Sequence, residues 1–470
     1  MSDYDVIAMG GGFAGLVAAN RAAQLGLSAL VLEAQSDERY LCNSRITTGV
    51  SHILFANMKL PGEELLEIME AATEGRTRSD LAHALAFNSR RAVDWLQEEG
   101  ARFMEMVMGD GIRSLILAPP RRFKPGLDWE GRGADYLMRK LEENLTGRGG
   151  KLMRGTRVEG LIMEDGICRG VDAVRDGEPI SLKSGAVIIA DGGFGANRDM
   201  IRQYISPQAD GMLIRSAPSA MGDGLRLAQS AGAELTGFGE FYGHPVHRDG
   251  LTSDKLWPFP MIDQTVTAAL VVGPDGKRFA DEGEGGIIFS NAMAKLEDPQ
   301  STTLILDDAI WNGPAKEGPT AANPLITLGG GKMFEAGDLE TLAQMAGIDG
   351  AGLARTVTAY NEVLAQGKLE NLEPPRGTDR FPTYPITRPP FYAVPLCTGI
   401  TGTMGGVSID AGCHALKPDG APIPGLYAAG TTVAGLEGGP SVAYMGGLAK
   451  AFILGLLAAE AIHGKTQAGT

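Results

Sequence analysis

Short apolar runs, each closed by glycine, set the pattern of the chain. Residues 5–9 (Asp5-Val6-Ile7-Ala8-Met9) form a compact run suited to a buried parallel strand. Residues 16–26 read as a helix ending at Gly26, and residues 28–32 as a second strand closed by Glu33. Between the first strand and the helix lies Gly10-Gly11-Gly12-Phe13-Ala14-Gly15, in which Gly10, Gly12 and Gly15 fit G-x-G-x-x-G. Gly10 allows the tight turn, Gly12 lets the backbone approach a pyrophosphate, and Gly15 lets helix and strand pack closely. The helix N-terminus offers free N–H groups to the phosphates. Glu33 stands where a carboxylate accepts from ribose hydroxyls. Strand, glycine turn, helix, strand and acid in this order predict a dinucleotide site.

Further along, residues 39–52 predict a polar loop lying along a cofactor or at the surface. Residues 62–69 and 79–96 predict helices, with Ser79 as an N-cap and His83 packed inside the second. A helix is expected at 135–145, and a hairpin at 158–162 and 166–174. Residues 185–190 predict an apolar strand running into the Asp191-Gly192-Gly193 turn. A helix opens at 220–225 and ends near Gly232. After about residue 235 aromatic residues, prolines and histidines gather, which marks a new domain or lid. Residues 270–272 predict a strand, 274–276 a tight turn and 277–279 a return strand. Residues 337–365 are helical, and 366–390 are proline-rich and charged, a linker. Strands at 404–410 and 423–431, a glycine-dense stretch at 435–447 and an apolar last helix at 447–462 complete the chain. The glycine-rich start of that helix is a second anion-friendly site.

With 470 residues the chain is too long for one core. Its net charge of −15 argues against a nucleic-acid partner, although local arginines can still receive an anion. Cys42, Cys168, Cys397 and Cys413 form no C-x-x-C pair or metal cluster, so reduced thiols and no metal site are expected. The last helix reads as too short to span a membrane. A soluble cytoplasmic protein with no membrane span is the expectation.

Residues 118–133 hold Arg121, Arg122, Lys124 and Arg132 beside Phe123 and Trp129. Such a stiff loop is either a pocket wall with an arginine fork for a carboxylate or enolate oxygen, or a solvated loop.

Taken together, Gly10–Gly15 with Glu33, Ile189 through Phe194, Gly222-Asp223-Gly224, Gly276 through Glu282, Thr403 through Val407 and Gly425 through Gly430 resemble one family. It is the fumarate reductase and succinate dehydrogenase flavoprotein family, with soluble branches similar to tricarballylate dehydrogenase and 3-ketosteroid 1-dehydrogenase. The resemblance covers nearly the whole chain. It implies an α/β fold: a Rossmann-type FAD-binding domain (1–235 and 386–470) with an inserted α+β capping domain (236–385). The active site would lie between them. FAD would be non-covalent, since no histidine sits in an obvious flavin-linkage motif. The FAD contacts implied are Gly10, Gly12, Phe13, Ala14, Gly15, Glu33 and Ala34. Further contacts are Asn43, Ser44, Thr48, Gly49, Val158, Ala190, Asp191, Gly192 and Asp223. The C-terminal part would add Gly430, Thr431, Gly446, Gly447 and Leu448.

The departures bear on the substrate. Fumarate reductases carry a proton-donating arginine after Arg-Phe-x-Asn-Glu; here the stretch runs Glu282-Gly283-Glu284-Gly285-Gly286-Ile287. Their histidine before Thr-Met-Gly-Gly is replaced by Thr401 and Gly402. The substrate-clamping arginine before the late Gly-Gly falls near Tyr444. Tyr444 with Gly446 and Gly447 is loosely like the ketosteroid branch, where a tyrosine donates to the substrate carbonyl. The expected function is desaturation of a CH–CH bond next to a carbonyl or carboxyl of a small molecule, with hydride passing to flavin and electrons then to a free acceptor. Alternatives are reduction of an activated C=C bond, and a redox subunit without its own substrate. Tyr444, His244 and Tyr242 are the catalytic candidates, with His247 and His52 behind them. Arg122, with Arg121, is the candidate anion anchor.

Overall fold

The computed structural model describes residues 2–107, 113–318 and 320–468. The opening strand, Tyr4–Met9, lies inside an eight-stranded sheet. In space the order is His414–Leu416, Pro422–Ala428, Glu178–Ile189, Tyr4–Met9, Ala29–Leu32, Lys151–Met153. The hairpin Thr156–Glu164 and Ile167–Arg175 joins through Glu178–Ile189. From Pro422–Ala428 to Lys151–Met153 all pairs are parallel. Parallel strands are covered on both faces, which is why their sequences are almost continuously apolar. The chain moves outward one way through Ala29–Leu32 and the other way through Glu178–Ile189 and Pro422–Ala428. A crevice opens at the carboxyl ends of the strands where the order reverses.

The two chain ends share one core. Helix Phe13–Gln24 packs on the last helix, Gly447–Ala468, with Phe13 edge-on to Phe452 at 5.1 Å. Gly455 permits the approach, since a Cβ there would sit 2.8 Å from Ala14 O. The last helix is longer than expected and corrects the reading that it is too short to cross a membrane. By length and composition Gly447–Gln467 could do so, but 67% of that window is buried inside the protein. Lys450, fully buried within it, is neutralised by an ion pair with Glu437.

A second apolar core surrounds a six-stranded sheet built on Phe391–Thr403. This strand was expected with the C-terminal part of the FAD domain. Instead it pairs with Phe241–His247, Thr303–Asp307, Phe334–Ala336 and Leu213–Ile214, all but the last from the expected cap. Residues 277–279 are not a return strand. Arg278 makes one bridge to Val272 and then turns inward to pair with Glu282 at 2.6 Å. Arg376, from the expected linker, meets the same carboxylate at 3.3 Å, so that segment is anchored beside the second core. Residues 337–365 split into two helices, Leu339–Ala346 and Gly350–Gln366, at Gly347. Ser79 is the first helical residue and makes no side-chain cap; Arg78 is the N-cap. His83 is exposed and stacked on Phe87, not packed in a core.

Candidate active site

One continuous cleft runs from the glycine turn to the second sheet. It encloses about 1670 Å³ including its open mouth. Its lining runs from Gly10, Gly12 and Glu33 at one end to Tyr242, His244 and Tyr444 at the other. Met9, Ala190 and Gly430, at or just beyond three parallel strands, form its floor.

The near end fits the expected dinucleotide. Gly10 has φ +111°, and a Cβ there would lie 2.5 Å from Ala190 O. Helix Phe13–Gln24 starts without a side-chain cap. Phe13 N–H donates to Ser44 Oγ at 2.9 Å, while Gly12 and Ala14 N–H have no acceptor among the described residues. Those N–H groups and the helix dipole suit a pyrophosphate. Glu33 accepts from Gly11 N at 3.0 Å and Gln35 N at 2.9 Å, and burial raises its pKa. Asp191 accepts from Gly224 N at 2.7 Å; its other oxygen is buried without a partner, and burial raises its pKa to about 6. Ala34, Asn43, Thr48, Val158, Gly192, Asp223, Thr431, Gly447 and Leu448 also face the cleft. Gly15, Gly49 and Gly446 do not. Their roles are packing: a Cβ on Gly15 would strike Gly10 O, one on Gly446 would strike His52 O, and one on Gly49 would press on Leu117. Thr156, Arg157 and Cys42 line the cleft and carried no motif signal.

At the far end the chemistry-bearing side chains converge. Tyr242 stacks on Tyr444, with centroids 3.7 Å apart. His244 stands edge-on to Tyr242 at 4.8 Å. Tyr444 Oη accepts from Gly447 N at 2.6 Å. With a lone pair so engaged, its own O–H is free to donate into the cleft. Burial raises the pKa of both phenols, that of Tyr242 to about 12. His244 Nδ1 lies 2.8 Å from Asp263 Oδ1. A carboxylate only accepts, so in the neutral ring Nδ1 carries the proton and Nε2 the lone pair. That Nε2 is buried with no protein partner. Asp263 carries no motif signal in the sequence. Pairing of Val246 with Met261 brings it beside His244, and Gly286 makes room, since a Cβ there would collide with its carboxylate.

Arg215, which no motif marks, is the cation at this end of the cleft. It is 3% exposed, and Nε donates to Pro258 O at 2.9 Å. Its Nη1 donates at 2.6 Å to the hydroxyl of Thr401. No carboxylate is in ion-pair contact with it among the described residues, and burial lowers its pKa to about 10 against the opposing charge of Asp263. The expected anchor, Arg122, is corrected: its side chain is 59% exposed and pairs with Asp128 at 2.5 Å. Lys124 and Arg132 meet the same carboxylate, and no residue of 118–133 lines the cleft. Arg121 is buried behind Phe259, 4.1 Å from the ring centroid, while Phe259 itself faces the cleft. His247 is fully buried and bonds Lys332 O at 3.0 Å and Asp249 N at 3.1 Å, away from the cleft. His52 does line it.

The chain is 28% identical to NADH:acrylate oxidoreductase of Vibrio harveyi, over 77% of this chain and 34% of that protein. It is 28% identical to NADH:fumarate oxidoreductase of Klebsiella pneumoniae, over 93% and 45%. It thus spans less than half the length of these two relatives. With 4-oxocyclohexanecarboxylate 2-dehydrogenase of Sinomonas cyclohexanicum it shares 25% identity, over 99% and 93%. Its fold matches the solved 3-ketosteroid delta1-dehydrogenase of Sterolibacterium denitrificans with a TM-score of 0.80, at 22% identity and over 98% and 99% of the two chains. The glycine turn, the returning strand at Gly430 and the cleft between them agree with the family model that matches residues 5–441, and the chain belongs to the FAD binding domain family.

Proposed function

We propose that the chain is an FAD-dependent oxidoreductase that desaturates a CH–CH bond next to a carbonyl or carboxyl group of a small molecule. The observation that carries this is the Tyr444 hydroxyl, whose oxygen is taken by Gly447 N–H and whose proton is left for a ligand oxygen. Such a fixed donor stabilises the enolate-like charge that develops when the α-carbon loses its proton. His244, oriented by Asp263 and with Nε2 free, is the group suited to take that proton. Bound FAD would accept the hydride from the β-carbon. Arg215, buried and without an acidic partner, suits a carboxylate or a second carbonyl on the substrate. A separate acceptor would then take the electrons.

Similarity to NADH:acrylate oxidoreductase and NADH:fumarate oxidoreductase favours the reverse reaction, reduction of an activated C=C bond. The absence of the fumarate-type arginine, the His244–Asp263 pair and the dehydrogenase of Sinomonas cyclohexanicum favour desaturation. The polar groups gathered at the far end of the cleft, Tyr444, His244 and Arg215, argue against a redox subunit without its own substrate.

Anaerobic mixing of the oxidised holoprotein with saturated cyclic ketones and keto acids tests the reading. Bleaching of the flavin band by a saturated compound is expected. If only the reduced protein reacts, and only with enones or enoates, desaturation is wrong.

A further inference from the structure

His52 lines the cleft, yet the proposed chemistry gives it no task. It lies in the hairpin of Val50–Ile53 and Ala56–Asn57, whose connecting residues Leu54 and Phe55 have φ 49° and 66°. Two-residue hairpins of this kind usually use Asn and Gly, because positive φ is costly for larger residues. Here the turn is held by the histidine. Phe55 N–H donates to His52 Nδ1 at 3.0 Å, and the two rings stack at 4.6 Å. Gly446 passes against the backbone of His52, and Tyr444 meets its ring edge-on at 5.9 Å. The ring is therefore clamped from three sides.

The clamp fixes the tautomer. Nδ1 accepts the Phe55 N–H, so the single proton of the neutral ring sits on Nε2. Nε2 has no protein partner among the described residues, and it is not among the polar atoms sealed from solvent. The arrangement is opposite to that of His244, where Nδ1 donates and Nε2 accepts.

We propose that His52 is a built-in N–H donor of the cleft wall, serving an sp2 oxygen or nitrogen acceptor on the molecule bound against it. It is a binding and positioning residue beside Tyr444. The acceptor belongs either to the flavin ring or to the carbonyl of the substrate. The inference rests on the cleft being the redox site, but its first test needs no turnover.

Nitrogen-15 labelling of histidine in the holoprotein reads the tautomer directly. The expected result at pH 7 is a neutral His52 with protonated Nε2, whose resonance moves when a ligand fills the cleft. A protonated Nδ1 or an imidazolium overturns the proposal, even if the protein bleaches with saturated ketones. Conversely, a panel that fails to bleach the flavin leaves the tautomer result standing. His52→Asn keeps an oxygen able to accept the Phe55 N–H but removes the reaching donor. If the acceptor is on the flavin, this variant shifts the flavin absorption and weakens FAD retention without added ligand. If it is on the substrate, the flavin is unchanged and the Kd of a ketone or keto acid rises about 5- to 50-fold. A variant with unaltered flavin spectrum, FAD retention and ligand Kd overturns it.

Discussion

Tyr242 and Tyr444 lie ring over ring, 3.7 Å between centroids and 8° from parallel. One comes from the strand Phe241–His247 of the second sheet, the other from the loop before the last helix. The contact joins the two layers at the cleft. Burial holds both phenols protonated, Tyr242 up to about 12, so they act as donors at neutral pH and not as bases. Tyr444→Phe keeps the stacking and removes one donor. Flavin reduction by a saturated substrate is expected to slow by about 10²- to 10³-fold, as for loss of an oxyanion donor. Stopped-flow bleaching measures it, and an unchanged rate removes Tyr444 from the chemistry.

Arg215 and Arg122 make opposite predictions. Arg215 is buried at the cleft with no carboxylate in ion-pair contact among the described residues, whereas Arg122 is largely exposed and tied to Asp128. Losing a charge-assisted bond costs about 1.5–3 kcal/mol. Arg215→Gln is therefore expected to raise the KM of an acidic substrate by roughly 10- to 150-fold at 1.4 kcal/mol per decade. Arg122→Gln should leave kcat and KM within about twofold, as expected for a side chain outside the cleft. Steady-state kinetics on the two variants decides between the arginines.

The contrast shows what could be read from the sequence. The glycine turn, Glu33 and Gly430 were legible because their chemistry is local: each needs only its own strand end. In residues 118–133 the sequence displayed the cations but not that Asp128 gathers Arg122, Lys124 and Arg132 away from the cleft. Arg215 carried no motif. It reaches the cleft because Leu213–Ile214 adds to the strand Phe391–Thr403, where Gly399 leaves space for its side chain. Asp263 was hidden for the same reason, its link to His244 being made only by tertiary pairing. Even the split of 337–365 at Gly347, visible as a glycine, was masked by amphipathic pattern on both sides.

Asp263 sets the direction in which His244 works. With Asp263→Asn the amide can donate to Nδ1, which would place the ring proton on Nε2 and remove the lone pair from the cleft. General-base catalysis contributes about 10²- to 10⁴-fold. A loss of that order in flavin reduction is expected, with substrate Kd little changed. A rate within a few-fold of the parent would show that another group takes the proton.

Asp191 couples the cleft to pH. Its folded pKa is raised by burial, from 3.8 to about 6. A raised value means the fold prefers the protonated carboxyl. The associated stability is fully present below pH 3.8 and is lost as pH rises through about 6. At pH 7 the ionised side chain therefore destabilises the cofactor-free protein. Asp191→Asn retains an acceptor for Gly224 N–H without the charge. It is expected to stabilise the cofactor-free protein at pH 7 by about 1–2 kcal/mol, after allowance for solvent reaching the cleft. Near pH 3 the gain should vanish. Melting temperatures of both proteins across this range test it, and a gain that persists undiminished at pH 3 would mean the carboxylate charge is not the cause.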